Sequence, residues 1–393
     1  MKIGYLVPEF PGQTHGFFWR EILHVEAAGD DVTIFSTRRP SDHTTHEFSE
    51  IAKARTLYLT DLRFRDAMSW LGAAIAALAL LARDDVRSLR RHGESWFKIF
   101  GLGVVGARLA AICRRENLKH IHGHSCADAG YVLAFSKLSG GPPFSLSLHG
   151  DLAVYGHGHH FKFGHAKFVA CVTDALRKQV QTHLPDIAHA PQLIRMGIER
   201  NPAAKKRGYW SPPRTLRIVT VARLNHMKGH QHAIAAVAAL KQRGVQIRYD
   251  IIGEGDYHSE IAAQIKSLGL QPEVNLVGPL ANDQIVEQLS LYDAFVLPSV
   301  GLGEAAPVAV MEAMGAGVPV VCSIIGGTPE MIEHGQTGFL FPQCDEAALI
   351  EILAHLADDP DARKRVGSAG QNHAHSSFLT SVSATKLMHC IRQ

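Results

Sequence analysis

Two glutamates eight positions apart, Glu304 and Glu312, stand in the stretch GEAAPVAVMEAMGAGVPVV (303–321). Between Glu304 and Glu330 the only charged residue is Glu312, set among Ala, Val, Met, Gly and Pro. Val308, Met311, Glu312 and Gly315 share one helical stripe, and the other positions are apolar too, so this helix is covered all round. Pro307 suits its first turn, where a missing N–H costs nothing, and Gly315 or Gly317 can end it. A buried carboxylate without a partner is strongly unfavourable. Glu312 therefore needs a cation, backbone donors or the hydroxyls of a ligand, and a structural ion pair meets that need as well as a ligand does. Glu304, just ahead of the helix, suits the positive dipole end and marks a place where free N–H groups can receive phosphate. Eight residues of helix rise about 12 Å, whereas glycosidase carboxylates stand about 5 Å or about 6.5–9.5 Å apart. The pair thus suits gripping two separated parts of one long ligand rather than hydrolysis.

In TVARLNHMKGH (220–230), Arg223 follows an apolar strand and Lys228 comes five residues later, with Gly229 behind it. Two cations at the carboxyl end of a strand, beside a turn and a helix start, suit a diphosphate; exposed Lys and Arg after strands are common, so by itself the pattern reads more readily as a solvated loop. In SLSLHGDLAVYG (145–156), His149 ends an apolar strand and Asp151 follows. A His at such an edge is a candidate acid/base or substrate hydrogen-bonder, or is satisfied locally. The run YGHGHHFKFGH (155–165; His157, His159, His160, His165) has no regular helical ligand pair and no supporting Cys, so no metal site is expected there.

The elements that must position these residues alternate along the chain. Strand-like runs are KIGYLV, DVTIFS, TLYLT, KHIHGH, FSLSLHG, KFVACVT and QLIRMGI, then LRIVTVA, RYDIIG, VNLVG, AFVLPS, VPVVCS and GFLF. Apolar strands separated by amphipathic helices imply parallel sheets covered on both faces. The pattern pauses at ERNPAAKKRGYWSPPRT (199–215), rich in Pro, Lys and Arg, which marks a domain boundary. Two α/β domains imply a cleft, with ligands at the carboxyl ends of strands.

Bulk properties agree. A length of 393 residues suits two domains. A net charge of +3 is too small to argue for nucleic acid, although 24 His raise it below about pH 6.5. The six Cys include no Cys-x-x-Cys pair, which favours reduced thiols in a cytoplasmic protein. The start MKIGYLVPEF reads as a first strand without a signal-peptide layout. The most apolar run, SWLGAAIAALALLA (69–82), has fourteen residues; a membrane span needs about twenty, so a core or surface-lying helix is expected.

Together these pieces resemble glycosyltransferase family 4, the retaining nucleotide-sugar transferases of the GT-B fold, over nearly the whole chain. The most specific part is LPSVGLGEAAPVAVMEAMGAGVPVVCSIIGGTPEMIEHGQTGFLF (297–341). There the two glutamates, Ala-Met, Gly-x-Pro-Val-Val, Gly-Gly-x-x-Glu and a Thr-Gly-Phe-Leu end occur in family order. LHGDLAVYG and GEAAPVAVMEAM look like members from bacterial exopolysaccharide clusters. The resemblance implies two Rossmann-like, doubly wound parallel-sheet domains facing across a cleft. These would be an acceptor-side domain (1–200), a nucleotide-sugar domain (201–370), and a C-terminal helix (371–393) crossing back to the first.

It also implies roles. Glu312 would hold the ribose hydroxyls, and Arg223 with Lys228 the diphosphate, stabilising the departing charge. Glu304 would lie by the donor sugar's hydroxyls, and His149 would contact that sugar near the anomeric centre; these two are the catalytic candidates. Val277, Gly278, Pro279 and Leu280 would form the loop beside the base. Backbone N–H groups around Ala306 and Val308 would help bind sugar or phosphate, while Pro307 cannot donate. PEFPGQTHGFFWREI looks like the acceptor-facing strand–loop–helix, with Gly12, Gln13, Thr14 and His15 in its loop. Ala305 and Ala306 stand where Gly and a bulky apolar residue are frequent, and Ala222 replaces the usual Gly before the phosphate-binding Arg. These departures bear on pocket shape and remove no charged group.

The expected reaction moves a sugar from a UDP- or GDP-sugar to an acceptor hydroxyl with retention, by front-face attack assisted by the leaving phosphate. No cofactor or metal is expected, and the expected acceptor is a glycan or lipid-linked glycan of cell-surface polysaccharide synthesis. Apolar helical patterns mixed with Arg and Lys over 61–119 could also lie on the cytoplasmic face of the inner membrane; an amphipathic layer packed on the sheet is the competing explanation. Rival functions are a GT-B epimerase or phosphorylase, and a non-catalytic nucleotide-sugar-binding protein. A dinucleotide dehydrogenase is disfavoured because no Gly-x-Gly-x-x-Gly follows a first strand in either half.

Overall fold

Each strand-like run named above carries a strand. The structure, a computed structural model, describes residues 1–12, 15–40, 46–61, 67–187, 189–200, 215–302 and 304–393. It divides into two units, Met1–Arg195 with Ser381–Gln393, and Met196–Thr380. In the first unit the strands are β1 (Lys2–Glu9), β2 (Asp31–Arg38), β3 (Thr56–Tyr58), β4 (His120–His124), β5 (Phe144–Leu148), β6 (Phe168–Cys171) and β7 (Gln192–Leu193), in the order β3-β2-β1-β4-β5-β6-β7. In the second they are β8 (Leu216–Val221), β9 (Ile247–Ile252), β10 (Val274–Gly278), β11 (Ala294–Leu297), β12 (Val320–Ser323) and β13 (Phe339–Phe341), in the order β10-β9-β8-β11-β12-β13. All neighbours pair in parallel. Every residue of β4, β5, β6, β11 and β12 is buried, as sheets covered on both faces require.

Strand order reverses between β1 and β4 in the first sheet and between β8 and β11 in the second. Ligands of doubly wound sheets bind outside the carboxyl ends of the strands at such reversals. Helices between the strands start at ordinary caps. Thr173, Asp345 and Asp359 accept the N–H groups of Leu176 (3.1 Å), Ala348 (2.9 Å) and Ala362 (2.8 Å). The second core joins Ile218, Tyr249 and Val296 from the sheet to Val237, Leu349 and Val366 from the helices.

The first core is completed from the far end of the chain. Ala384, Leu387, Met388 and Ile391 of the helix Thr380–Arg392 pack with Ile3, Tyr5, Trp19 and Ile22. Buried Asp30 accepts from the N-terminal ammonium of Met1 (2.7 Å) and from Arg392. Instead of one helix from 371, two are present, Pro360–Ser377 in the second unit and Thr380–Arg392 after it. A short bridge separates them: Ile198 N–H donates to the Phe378 carbonyl (2.7 Å) and Thr380 N–H to that of Ile198 (3.0 Å). Those bonds draw the chain out of helical geometry. Residues 201–214 of the expected boundary, like Arg63 and Arg65, lie outside the described residues.

The run 69–82 belongs to a surface helix, Ala67–Leu80. It packs antiparallel on the helix Trp96–Glu116, with Ala77 against Gly103 and Trp70 under the Arg108 guanidinium (4.1 Å). Its small residues Ala73 and Ala77 face inward, while Met68, Leu71, Ile75 and Leu78 face out.

Candidate functional site

At the reversal of the second sheet, Arg223 follows β8 by two residues and Ser299 follows β11 by two. The Asn225 side chain accepts the Lys228 N–H (3.2 Å) and caps a 3₁₀ turn, His226–Lys228. Gly229 then turns with φ +68°; a Cβ there would lie 1.8 Å from the Pro298 carbonyl oxygen, so only glycine lets this turn reach the end of β11. The Lys228 ammonium donates to Glu304 Oε2, which also accepts the Ser299 hydroxyl (3.0 Å). Two residues read from separate motifs, Lys228 and Glu304, therefore meet in a largely buried ion pair.

The backbone carrying these groups is fixed by close approaches. Gly326 (φ +52°) packs so tightly that a Cβ would lie 1.7 Å from the Glu304 carbonyl oxygen, and Gly327 N–H donates to the Ala305 carbonyl (2.7 Å). A Cβ at Gly253 would lie 2.0 Å from the Ala222 carbonyl oxygen, and Leu224 N–H donates to the Glu254 carbonyl (2.8 Å). This holds the segment of Arg223, which is exposed and whose guanidinium makes no ion pair among the described residues. His230 Nε2 bonds the Arg223 carbonyl (3.1 Å); burial lowers that imidazole to about 4, so it donates as a neutral ring.

Glu312 is buried in the helix Val308–Gly315 and accepts from Asn282 Nδ2 (3.0 Å). Asn282 opens the helix that follows Val277, Gly278, Pro279 and Leu280, so the expected ribose group and base-side loop are joined through it. Pro307 is not in the first turn: it flanks the helix in extended geometry (φ −69°, ψ 111°), and its carbonyl accepts the first helical bond, from Val310 (3.1 Å). The N–H groups of Val308 and Ala309 thus precede the helical ladder, and Ala306 and Pro307 are buried beside them. Because the helix begins only at Val308, its pitch separates Glu312 from Val308 by about 6 Å rather than from Glu304 by twice that. The two carboxylates are distinguished instead by their partners, Lys228 and Ser299 for one, Asn282 for the other. Gly303 lies outside the described residues.

In the first unit, His149 follows β5 directly. Its backbone N–H donates to the Tyr155 hydroxyl (2.7 Å), and its ring lies against Phe17 (5.3 Å) and Phe18 (5.4 Å). His15 turns back on Gly12, donating its N–H to that carbonyl (2.9 Å); its ring stacks on Phe10 and lies tilted against Phe18 (5.0 Å). Phe18 thereby links His15 to His149; Gln13 and Thr14 lie outside the described residues.

Behind His149 is a polar cluster that the sequence reading passed over. His120, His122 and His124 share one face of β4. The Ser145 hydroxyl meets His120 Nε2 (2.8 Å) and His122 Nδ1 (2.8 Å), and Ser147 meets His122 Nε2 (3.0 Å). His124 Nδ1 meets His149 Nε2 (3.1 Å), and its Nε2 lies 3.3 Å from Glu21 Oε1. The signal was present as His-x-His-x-His beside Ser-x-Ser, two period-2 patterns on adjacent strands. Burial, then repulsion from the neighbouring His124, lowers His149 to about 3. Burial likewise lowers His124 to about 3 and raises the Glu21 carboxyl. At neutral pH His149 is therefore an uncharged hydrogen-bonding ring and not a proton-donating cation. Among the described residues, Glu21, His122 and His124 are the one group of three metal-type ligands; both His122 nitrogens are already taken by serine hydroxyls.

Comparisons with known proteins fit this geometry. Residues 204–373 match the family model described as glycosyl transferases group 1. The chain is 43% identical over 376 residues to the amylovoran biosynthesis glycosyltransferase AmsK of Erwinia amylovora, covering 91% of each chain. It is 27% identical over 383 residues to the putative colanic acid biosynthesis glycosyltransferase WcaL of Escherichia coli K12, covering 90% of each. Among solved structures, Anabaena HepE in complex with UDP and glucose superposes with a TM-score of 0.73 at 18% identity, over 100% of both chains. A likeness at that identity speaks for the two-domain GT-B fold.

Proposed function

Because this chain belongs to the group 1 glycosyl transferases, and is thus a glycosyltransferase, we propose which residues grip its donor and where it works. The donor is a UDP- or GDP-sugar. The observation that carries the reading is the convergence of Lys228, Ser299 and Glu304 where the second sheet reverses, with exposed Arg223 beside β8. Arg223 and Lys228 take the diphosphate and stabilise the charge that grows as it leaves. Glu304 takes the donor sugar's hydroxyls, and Glu312, oriented by Asn282, takes the ribose. The Val277–Leu280 loop lies by the base, and the N–H groups at Ala306 and Val308 assist the sugar or phosphate. His149 serves the sugar as a neutral hydrogen-bonding group, and the Gly12–His15 loop serves the acceptor.

The sugar passes to an acceptor hydroxyl with retention and without metal. The names of the AmsK and WcaL relatives support a lipid-linked or growing glycan of exopolysaccharide synthesis as acceptor, met in the cytoplasm or at the inner membrane's cytoplasmic face. The deciding experiment is calorimetry of UDP and GDP against the wild type and Glu312→Gln. A loss of about tenfold or more is expected, since a hydrogen bond to a charged group contributes about 1.5–3 kcal/mol; unchanged affinity in a folded variant removes the ribose role. Anomeric analysis of the product by NMR tests retention.

A further inference from the structure

The helix Ala67–Leu80 is inside out for a helix facing water. It contains no charged residue. Its buried face is Ala73, Ala77 and Leu80, and its solvent face carries Met68 (78% exposed), Leu71 (55%), Ile75 (61%) and Leu78 (58%). Positions i, i+3, i+7 and i+10 form a single stripe. Surface helices in water place small or charged residues outward, and a contiguous exposed apolar patch marks a binding surface.

Its surroundings say what covers it. The helix runs antiparallel to Trp96–Glu116, with Ala77 beside Gly103 and Trp70 beside Arg108, so the Leu78 end of the stripe lies toward the start of that second helix. There Phe97 is 89% exposed and Trp96 is 42% exposed. The intervening segment adds Arg83, Arg87, Arg90 and Arg91. Arg83 and Arg87 are paired with Asp85 and Asp84. Arg90 packs over the Trp96 ring (5.8 Å), and neither Arg90 nor Arg91 has a carboxylate partner among the described residues. An apolar stripe, interfacial aromatics and unneutralised arginines at one end are the three parts of a helix that lies in a headgroup layer. A second copy of the chain would match the apolar stripe but not the arginines. The longer helix is not the anchor: Ile99, Gly106, Leu109 and Cys113 are buried within the unit.

We infer that the Met68–Leu71–Ile75–Leu78 stripe, with Trp96, Phe97, Arg90 and Arg91 at its end, docks the first unit on an anionic phospholipid surface. This deepens the proposed work at the membrane face by naming the surface, and it stands apart from donor binding. The test is co-sedimentation of the full-length protein with phosphatidylglycerol/phosphatidylcholine vesicles and with phosphatidylcholine vesicles at low salt.

The wild type is expected to sediment with the anionic vesicles and to release at high salt. Arg90→Gln/Arg91→Gln is expected to weaken binding by about 30-fold, the effect of two basic residues near an anionic surface. Leu71→Ser/Ile75→Ser/Leu78→Ser is expected to abolish binding while keeping the wild-type UDP or GDP thermal shift, which shows that it folds. In the wild type, bromine-labelled lipid is expected to quench a tryptophan signal that Trp96→Phe lacks. A wild type that stays in the supernatant, or a triple-serine variant that binds as well, overturns the inference. So does a wild-type dimer that the triple substitution makes monomeric without any vesicle binding. A wild type that sediments with the vesicles but binds neither UDP nor GDP would sink the donor reading and leave this one standing, with circular dichroism then reporting that the triple-serine variant folds.

Discussion

Glu304 cannot be understood without Lys228. The carboxylate assigned to the sugar holds the cation assigned to the diphosphate, with Ser299 as a second donor. Neutralising Glu304 therefore frees Lys228. Glu304→Gln is expected to lose turnover by at least about 100-fold, the scale of one transition-state electrostatic contact, while UDP or GDP affinity is kept or rises. Steady-state rates and calorimetry check this; equal weakening of nucleotide and nucleotide-sugar would contradict a sugar contact. The histidine cluster makes a pH prediction. His120, His124 and His149 are lowered to about 3 by burial, against about 6.5 in an unfolded chain. The unfolded chain then binds more protons between those values, so the stabilisation is complete above about pH 6.5 and drains away as pH falls toward 3. Each ring is expected to cost about 1.4 kcal/mol per pH unit in that window, partly offset by Glu21, whose raised carboxyl acts in the opposite direction. Denaturant midpoints at pH 7, 6 and 5 measure the fall, and a flat profile would argue that the rings are solvated. The sequence exposed the charged members of the site because Glu312 is conspicuous in an apolar helix. It hid Ser299, Asn282 and Glu21, whose polar types are common and whose partners, Glu304, Glu312 and His124, follow no spacing rule.

The elements were legible because parallel strands buried on both faces leave continuous β-branched runs such as LRIVTVA and AFVLPS. What the runs do not carry is where the backbone must pass close to itself. Gly229, Gly253 and Gly326 lock the loops of Lys228, Arg223 and Glu304, and their contacts are with carbonyls far along the chain. The Gly-Gly of IIGGTPE was readable as a family signature, but its physical reason needed the φ of +52° and the approach to Glu304. Gly326→Ala is expected to destabilise the second unit by about 2 kcal/mol or more, from left-handed strain plus displacement. It should also lower kcat, because the loop of Glu304 must move. Thermal unfolding and steady-state kinetics check it; an unchanged melting temperature together with full turnover would show that the loop adapts. The helix break at Phe378–Leu379 was illegible for a similar reason, since the bridge to Ile198 that causes it spans 181 positions.

At the scale of the molecule, the last helix belongs to the first core. Deleting Ser381–Gln393 removes Ala384, Leu387, Met388 and Ile391 from around Tyr5 and Trp19, and the Arg392 partner of Asp30. At about 2 kcal/mol for each of the three larger side chains, an upper estimate near 6 kcal/mol rivals the whole stability of an ordinary domain. The truncated chain is expected to lose the buried fluorescence of Trp19 while the second unit still binds UDP or GDP. Retention of both would mean that the helix merely rests on the surface. The units divide at Arg195 and Met196, ahead of the Pro- and Lys-rich pause that begins at Glu199, and the return crossing leaves no periodic mark. This arrangement also sets a timetable. A chain made from its N-terminal side has the whole second unit, through Thr380, in hand before its first unit can close. The nascent protein therefore matures out of order. Until residues 381–393 emerge, the sheet of the first unit waits with an apolar face uncovered, a stretch of synthesis in which a chaperone has something to hold.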